Sequence, residues 1–254
     1  MSGSEEKGLV ALGAGIIFGA VAFFKGFKVR DKKRLIENIP TSTVRGMAVG
    51  LVEVKGKANP VDQPLVSHFS KAPCVFFRYT IEELRSSGKR SRWVTIASYS
   101  SSNYFYLEDD TGKVFVDPLS AELHLQVDRE FSSAFGGKAK PEFLTGLTEL
   151  GIDPKGFLGV KKSLRCAETY IAPGDLIYVI GSACPAVSGE FSECGHENLC
   201  IRKDNAPIFF ISDHSEKELL KNLGRQMILM LYGGPILTVV CLFLLIALYF
   251  RQYL

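Results

Sequence analysis

The sequence predicts a mainly β fold of the α+β type: an antiparallel β barrel or sandwich with short helices, carried between two transmembrane helices. Two runs without a charged side chain, residues 8–24 and 227–250, stand near the ends of the 254-residue chain and give it a positive mean hydropathy. Between them lie roughly 200 residues, room for one domain or two small ones, in which apolar residues recur with the period-two alternation of half-buried strands. Turn-forming clusters divide these runs: Asp109-Asp110-Thr111-Gly112, Pro173-Gly174-Asp175 and Asp204-Asn205-Ala206-Pro207. With 18 Phe and 9 Tyr the chain has enough apolar surface to offset ordering entropy, which excludes long disorder. Six cysteines are too few for a disulfide scaffold. A net charge of +3, without a Lys/Arg stripe beside the aromatics, gives no case for a nucleic-acid partner.

The first apolar run, Gly8 to Phe24, is 17 residues long, at the lower limit of the ~17–25 that cross a hydrocarbon core of ~30 Å. A cleaved signal peptide is the rival reading, and Ala20-Val21-Ala22 imitates its cleavage site. The flanks favour an uncleaved anchor. A signal opens with a basic segment, whereas this start reads Glu5-Glu6-Lys7, and the basic cluster of Lys25, Lys28, Arg30, Lys32, Lys33 and Arg34 lies downstream. The second run, Met227 to Phe250, is 24 residues long, and Gly233-Gly234-Pro235 predicts a kink within it. Ala11, Gly15 and Gly19 recur at every fourth position, a ridge of small residues on which another helix packs closely, a second copy of the chain included.

Orientation follows from the Lys and Arg residues near the span ends. Nine flank the inner side, the six from Lys25 to Arg34 with Lys217, Lys221 and Arg225; Lys7 and Arg251 flank the outer side. The bias places the middle domain in the cytoplasm. The same six residues at 25–34 are the expected contacts for anionic lipid headgroups. The chain thus divides into a tail (1–7), a first span (8–24), a basic juxtamembrane linker (25–43), a β-rich domain (44–212), a short helical stalk (213–226), a second span (227–250) and a second tail (251–254). The bilayer and other membrane proteins are the expected partners, in a prokaryotic plasma membrane or, in a eukaryote, an organelle outer membrane.

Within the domain, Cys74 to Glu83 alternates cleanly, with Val75, Phe77, Tyr79 and Ile81 on one face. Further strands are predicted at 44–54, 93–99, 104–107, 114–116, 123–127, 165–171, 176–180, 199–202 and 208–211, with a bulge beside Gly50 where the apolar set changes face. Ser100-Ser101-Ser102 and Gly136-Gly137-Lys138 read as loops. Helix is confined to Pro141–Leu150 and to Ser215–Gly224, the latter opened by a capping box of Ser215 with Glu218.

Chemical signals are sparse. Cys184, Cys194, His196 and Cys200 fall within 17 positions, and three thiols with an imidazole are zinc-binding types. Their C-x-H-x3-C spacing is not a recurring zinc pattern, so unliganded cysteines come first, with metal binding or a disulfide behind. Ser212-Asp213-His214-Ser215 contains hydrolase residue types, but helix capping accounts for them. No nucleophile elbow, phosphate loop or dinucleotide fingerprint is present in the sequence. No catalytic residue and no cofactor is expected.

The order of features nevertheless resembles a known family. A first span precedes Ile39-Pro40-Thr41-Ser42-Thr43-Val44-Arg45-Gly46-Met47-Ala48-Val49-Gly50; then come the Cys74–Tyr79 strand, Pro173-Gly174-Asp175-Leu176-Ile177-Tyr178-Val179-Ile180-Gly181, and Phe209-Phe210-Ile211-Ser212 before the last span. This pattern is similar to the GIDE/MULAN family, whose β domain lies beside a membrane between two helices, and it covers nearly the whole chain. The resemblance implies a RING-type E3 ubiquitin ligase of the mitochondrial outer membrane, with the RING after the second span and the domain on the non-cytosolic face. A RING requires Cys/His pairs for two zinc ions, and these 254 residues contain no C-x2-C. The expectation is therefore a RING-less, GIDE-like interaction or regulatory module, with ubiquitin transfer alongside a partner as the alternative.

Overall fold

The structure is a computed structural model that describes residues 3–88, 90–133, 139–155, 162–185, 199–213 and 216–253. It divides into two units, residues 1–40 with 215–254, and residues 41–214.

The first unit is helical. Helix α1 runs from Gly3 to Asn38, a second helix from Glu216 to Ile228, and a further one from Gly234 to Tyr253. Two stretches, Lys7–Asn38 and Leu220–Leu248, are long and apolar enough to cross a membrane. Residues 25–38, which the sequence sets apart as a linker, continue α1 without a break. At the expected kink the chain forms a π-turn, Leu229–Gly233, directly before Pro235. The proline has no N–H to offer the Leu231 carbonyl, and one wider turn accommodates the missing bond.

The second unit is the β domain. In chain order its elements are β1 (Thr41–Ser42), β2 (Gly50–Pro60), β3 (Leu65–Val66), β4 (Pro73–Cys74), β5 (Phe76–Ser87), β6 (Arg90–Ser100), β7 (Phe105–Asp109), β8 (Gly112–Val116), β9 (Glu122–His124), β10 (Arg129–Ser132), α2 (Pro141–Glu149), β11 (Leu164–Ile171), β12 (Leu176–Pro185), β13 (Leu199–Arg202) and β14 (Phe210–Ser212). Following β14, the helices of the first unit are α3 (Glu216–Ile228) and α4 (Gly234–Tyr253).

Five strands close into a barrel. β2 pairs with β7, β7 with β8, β8 with β13, β13 with β12, and β12 returns to β2. Only the β8–β13 pair is parallel in this ring. Numbered along the chain, the order is first, second, third, fifth, fourth and back to first, the connectivity of an OB-type Greek-key barrel. Alternate residues point inward: Val52, Val54 and Ala58 from β2, Phe105 and Leu107 from β7, Val114 and Val116 from β8, Ile177 and Val179 from β12, and Leu199 and Ile201 from β13. Gly56 keeps this face open, since a Cβ there would stand 2.5 Å from the Glu108 carbonyl oxygen on β7.

The hairpin that joins β7 to β8 is fixed by its first residue. Asp109 Oδ1 accepts hydrogen bonds from the N–H groups of Thr111 (2.7 Å) and Gly112 (3.1 Å), while Oδ2 accepts one from Val44 N at 2.8 Å. Burial pushes the Asp109 carboxyl up, but the Thr111 hydroxyl, which donates to Oδ1 at 2.6 Å, together with these N–H groups holds it below the usual range. Residues 44–49, expected as strand, form the turn that Asp109 anchors. The apolar set changes face because β2 begins at Gly50, whose φ of +127° suits glycine, rather than through a bulge.

Two insertions into the barrel build a second layer. β5 and β6 arise between the first and second barrel strands, β10 and β11 between the third and fourth, and they form one antiparallel sheet in the order β10-β11-β5-β6. Its core is Tyr79, Ile81, Phe131, Leu164 and Cys166 with Phe143 and Leu147 of α2 and Phe69. Val75 and Phe76 instead join the barrel core, so the alternation expected across Cys74–Glu83 changes owner where the chain passes from one layer to the other.

Candidate functional site

The four residues of zinc-binding type are only partly brought together. Cys184 and Cys200 are direct cross-strand partners on β12 and β13; Cys194 and His196 lie outside the described residues. Arg202 donates from Nε to Cys184 Sγ at 2.8 Å and from Nη2 to the Pro185 carbonyl at 3.2 Å. Among the described residues no three His, Cys, Asp or Glu side chains are grouped to hold a metal, and the five described cysteines are free thiols. Burial pushes the Cys200 thiol up to about 12, and burial reinforced by Glu168 raises Cys166 to about 12 and Cys74 to about 11. These three thiols stay protonated at neutral pH and are poor nucleophiles.

A structural carboxylate sits in the second layer, where sequence reading singled out nothing. Glu168 is fully buried. Its Oε1 accepts from Phe69 N (2.8 Å) and its Oε2 from Ser70 N (2.9 Å). The β3–β4 hairpin loop is thereby pinned so that the Phe69 ring enters the second core, where a Cβ on Gly146 would stand 2.5 Å from it. An acidic residue in a strand carries no sequence mark of such a role, and only the fold reveals it.

One end of the second layer borders a cleft of mixed character, with Pro118, Leu119, Ala121 and Leu123 in its lining beside polar groups. This cleft of about 340 Å³ opens between the end of β6 and the segment after β8, lined also by Arg78, Ser98, Ser100, Ser102, Ser120 and Tyr99. The serine run read as a loop thus forms a wall of hydroxyls. Ser101 belongs to the lining too, but it is buried and its hydroxyl accepts the Phe77 N–H at 3.0 Å.

In the helical unit, the small-residue ridge meets the chain's own α4. A Cβ on Gly15 would stand 2.6 Å from Cys241 Sγ, one on Gly19 2.6 Å from the Gly234 carbonyl oxygen, and one on Gly26 2.9 Å from Leu231. Descending partner numbers make the pair antiparallel. Thr238 Oγ1 donates to the Gly234 carbonyl at 3.1 Å and reaches that of Ile16 at 3.5 Å.

Of the six basic residues at 25–34, Lys25, Lys28 and Arg34 are exposed and Arg30, Lys32 and Lys33 half-buried. Arg30 pairs with Asp31 at 3.0 Å and lies 4.8 Å over the Phe27 ring; Lys33 pairs with Glu37. Lys217, Lys221 and Arg225 of α3 are exposed.

With this architecture in view, the family comparison is informative. The family model GIDE, described as E3 ubiquitin ligase, matches residues 78–246. That is well over half the chain, from the second layer through most of α4, and the chain belongs to the GIDE family. No curated protein and no solved structure matches it.

Proposed function

We propose that the protein is a two-pass membrane protein whose β domain serves as an interaction or regulatory module for other membrane proteins. The observation that carries this reading is the antiparallel seam of Gly15 and Gly19 against α4 and of Gly26 against the π-turn before it, because it ties together the apolar helices that enter and leave the domain. Anchoring at both ends keeps the domain at the membrane and contributes nothing to bond-making. The charge bias puts the domain on the cytoplasmic side. An introduced thiol at exposed Asp110, in a chain with Cys194 replaced by Ser, tests it: protection from an impermeant maleimide in intact cells is expected, and labelling without lysis contradicts the orientation.

Headgroup contact by the basic cluster follows a gradient. An unbroken helix lifts Arg34 about 13 Å beyond Lys25 at 1.5 Å per residue, whereas the headgroup layer is only ~5–7 Å deep and screening acts over ~8 Å. Lys25 and Lys28 are the principal contacts; Arg30, Lys32, Lys33 and Arg34 contribute progressively less. Quantifying anionic lipid retained by purified Lys25→Gln/Lys28→Gln and Arg30→Gln/Lys32→Gln/Lys33→Gln/Arg34→Gln chains checks the order. Equal retention by both variants contradicts it.

The family description favours a second reading, ubiquitin transfer in concert with a partner. An in vitro transfer assay separates the two. Robust ligase activity of the purified chain without partners overturns the module reading.

A further inference from the structure

β6 is an open sheet edge. It pairs with β5 from Arg90 to Ser100, and among the described residues nothing pairs with its other side. Such an edge presents the N–H and C=O of every second residue, about 6.6 Å apart at a rise of ~3.3 Å per residue, a repeat that another extended backbone can match. The charges around it are of one sign. Glu83 is neutralised by Arg85 (2.9 Å) and Glu82 by Arg165 (2.6 Å), while Arg78, Arg90 and Arg92 are exposed without an acidic partner among the described residues. Arg90 and Arg92 stand at one end of the edge. Arg78, the cross-strand partner of Ser100, stands at the other, in the serine-lined cleft. Tyr99 is 47% exposed on the same strand, with its ring stacked on Tyr79 at 5.7 Å, the kind of rigid aromatic anchor that partners use.

We propose that β6 is the docking edge for an extended acidic segment of a partner protein, which adds beside it as a strand and seats a carboxylate in the Arg78 cleft. The proposal rests on the reading of the domain as an interaction module and names its surface and partner chemistry. A second copy of this chain is a poor occupant: antiparallel self-pairing centred on Thr95 sets Arg90 of one copy opposite Ser100 of the other, beside that copy's Arg78. Polynucleotides and headgroups can use the arginines but have no use for the backbone row. The irregularity between Ile81 and Glu82 bends the edge midway, so the segment follows two short straight stretches.

The test uses the full chain in nanodiscs of neutral lipid and a fluorescent peptide, Glu-Val-Thr-Val-Thr-Val-Glu. Saturable binding is expected, weakened about tenfold or more by Arg78→Glu with Arg92→Glu, and lost when alternate peptide amides are N-methylated. Unchanged thermal melting of the double variant shows that folding is intact. Absence of saturable binding, equal binding of the N-methylated peptide, or equal competition by a single-stranded oligonucleotide of the same charge overturns the proposal. The module reading itself fails on a different result, ligase activity of the chain alone.

Discussion

The barrel and the four-stranded layer are built from the same alternating code yet manage their edges in opposite ways. In the barrel, β12 returns to β2 along eight register pairs, and every strand of the ring has a neighbour on both sides. In the second layer, β6 leaves one side open and carries arginines and serines instead of a cover. A closed ring offers little backbone for recognition and much rigidity. An open edge offers the reverse. On the proposed reading, one region is scaffold and the other contact.

Four changes break or sharpen that contrast, and Trp93, the single tryptophan of the chain, reports unfolding of the domain. The largest effect is expected from Gly56→Val. Its branched side chain drives β7 away where the ring closes, because the contact met at 2.5 Å is backbone; a loss of about 4 kcal/mol or more, or failure to fold, is expected in urea titrations. Next comes Glu168→Ala, which leaves the buried N–H of Phe69 and the half-buried N–H of Ser70 without their acceptors and costs about 3 kcal/mol. Glu168→Gln, which keeps one acceptor oxygen, recovers part of that loss.

Asp109→Ala removes four acceptor contacts at the β7–β8 turn, for about 1–3 kcal/mol. The pH dependence has a definite sign. The folded-state carboxyl is held below its ordinary value of 3.8, so its contribution is present above that value and fades as pH falls through the lower, folded one. Asp128 has the opposite sign and the smallest effect. Burial, with Asp213, Asp175 and Glu168 nearby, raises it although Tyr170 N–H donates to it. It therefore disfavours the fold at neutral pH and ceases to do so as acidification protonates it. Asp128→Asn is expected to be neutral or stabilising by a few tenths of a kcal/mol at pH 7 after solvent screening, and to flatten the urea midpoint against pH between 7 and 4.

Much of the fold was legible because alternation and turn chemistry are local. Asp109 to Gly112, Pro173 to Asp175 and the helix at Pro141–Glu149 fall where their residues place them. What escaped depends on distant partners. Residues 44–49 carry a strand-like pattern, yet Asp109, 65 positions on from Val44, fixes them as a turn. Phe76 alternates as a surface residue until two layers claim adjacent positions. β10 is only four residues long and is defined by β11. Periodicity showed a ridge of small residues but not its occupant; Gly15 and Gly19 of that ridge meet α4 of the same chain. Arg78, the serines of the cleft and the β6 edge became one surface only once two insertions were joined into one sheet.

The most direct test of the division between scaffold and contact region is a photocrosslinking scan of the full chain in its native membrane, with a photoreactive amino acid at Thr95 or Ser98 on β6 and, in parallel, at Lys57 or Lys113 on the barrel. The account predicts discrete protein adducts from the β6 positions, abolished by Arg78→Glu with Arg92→Glu, and none from the barrel. Adducts from the barrel positions with none from β6 would contradict it.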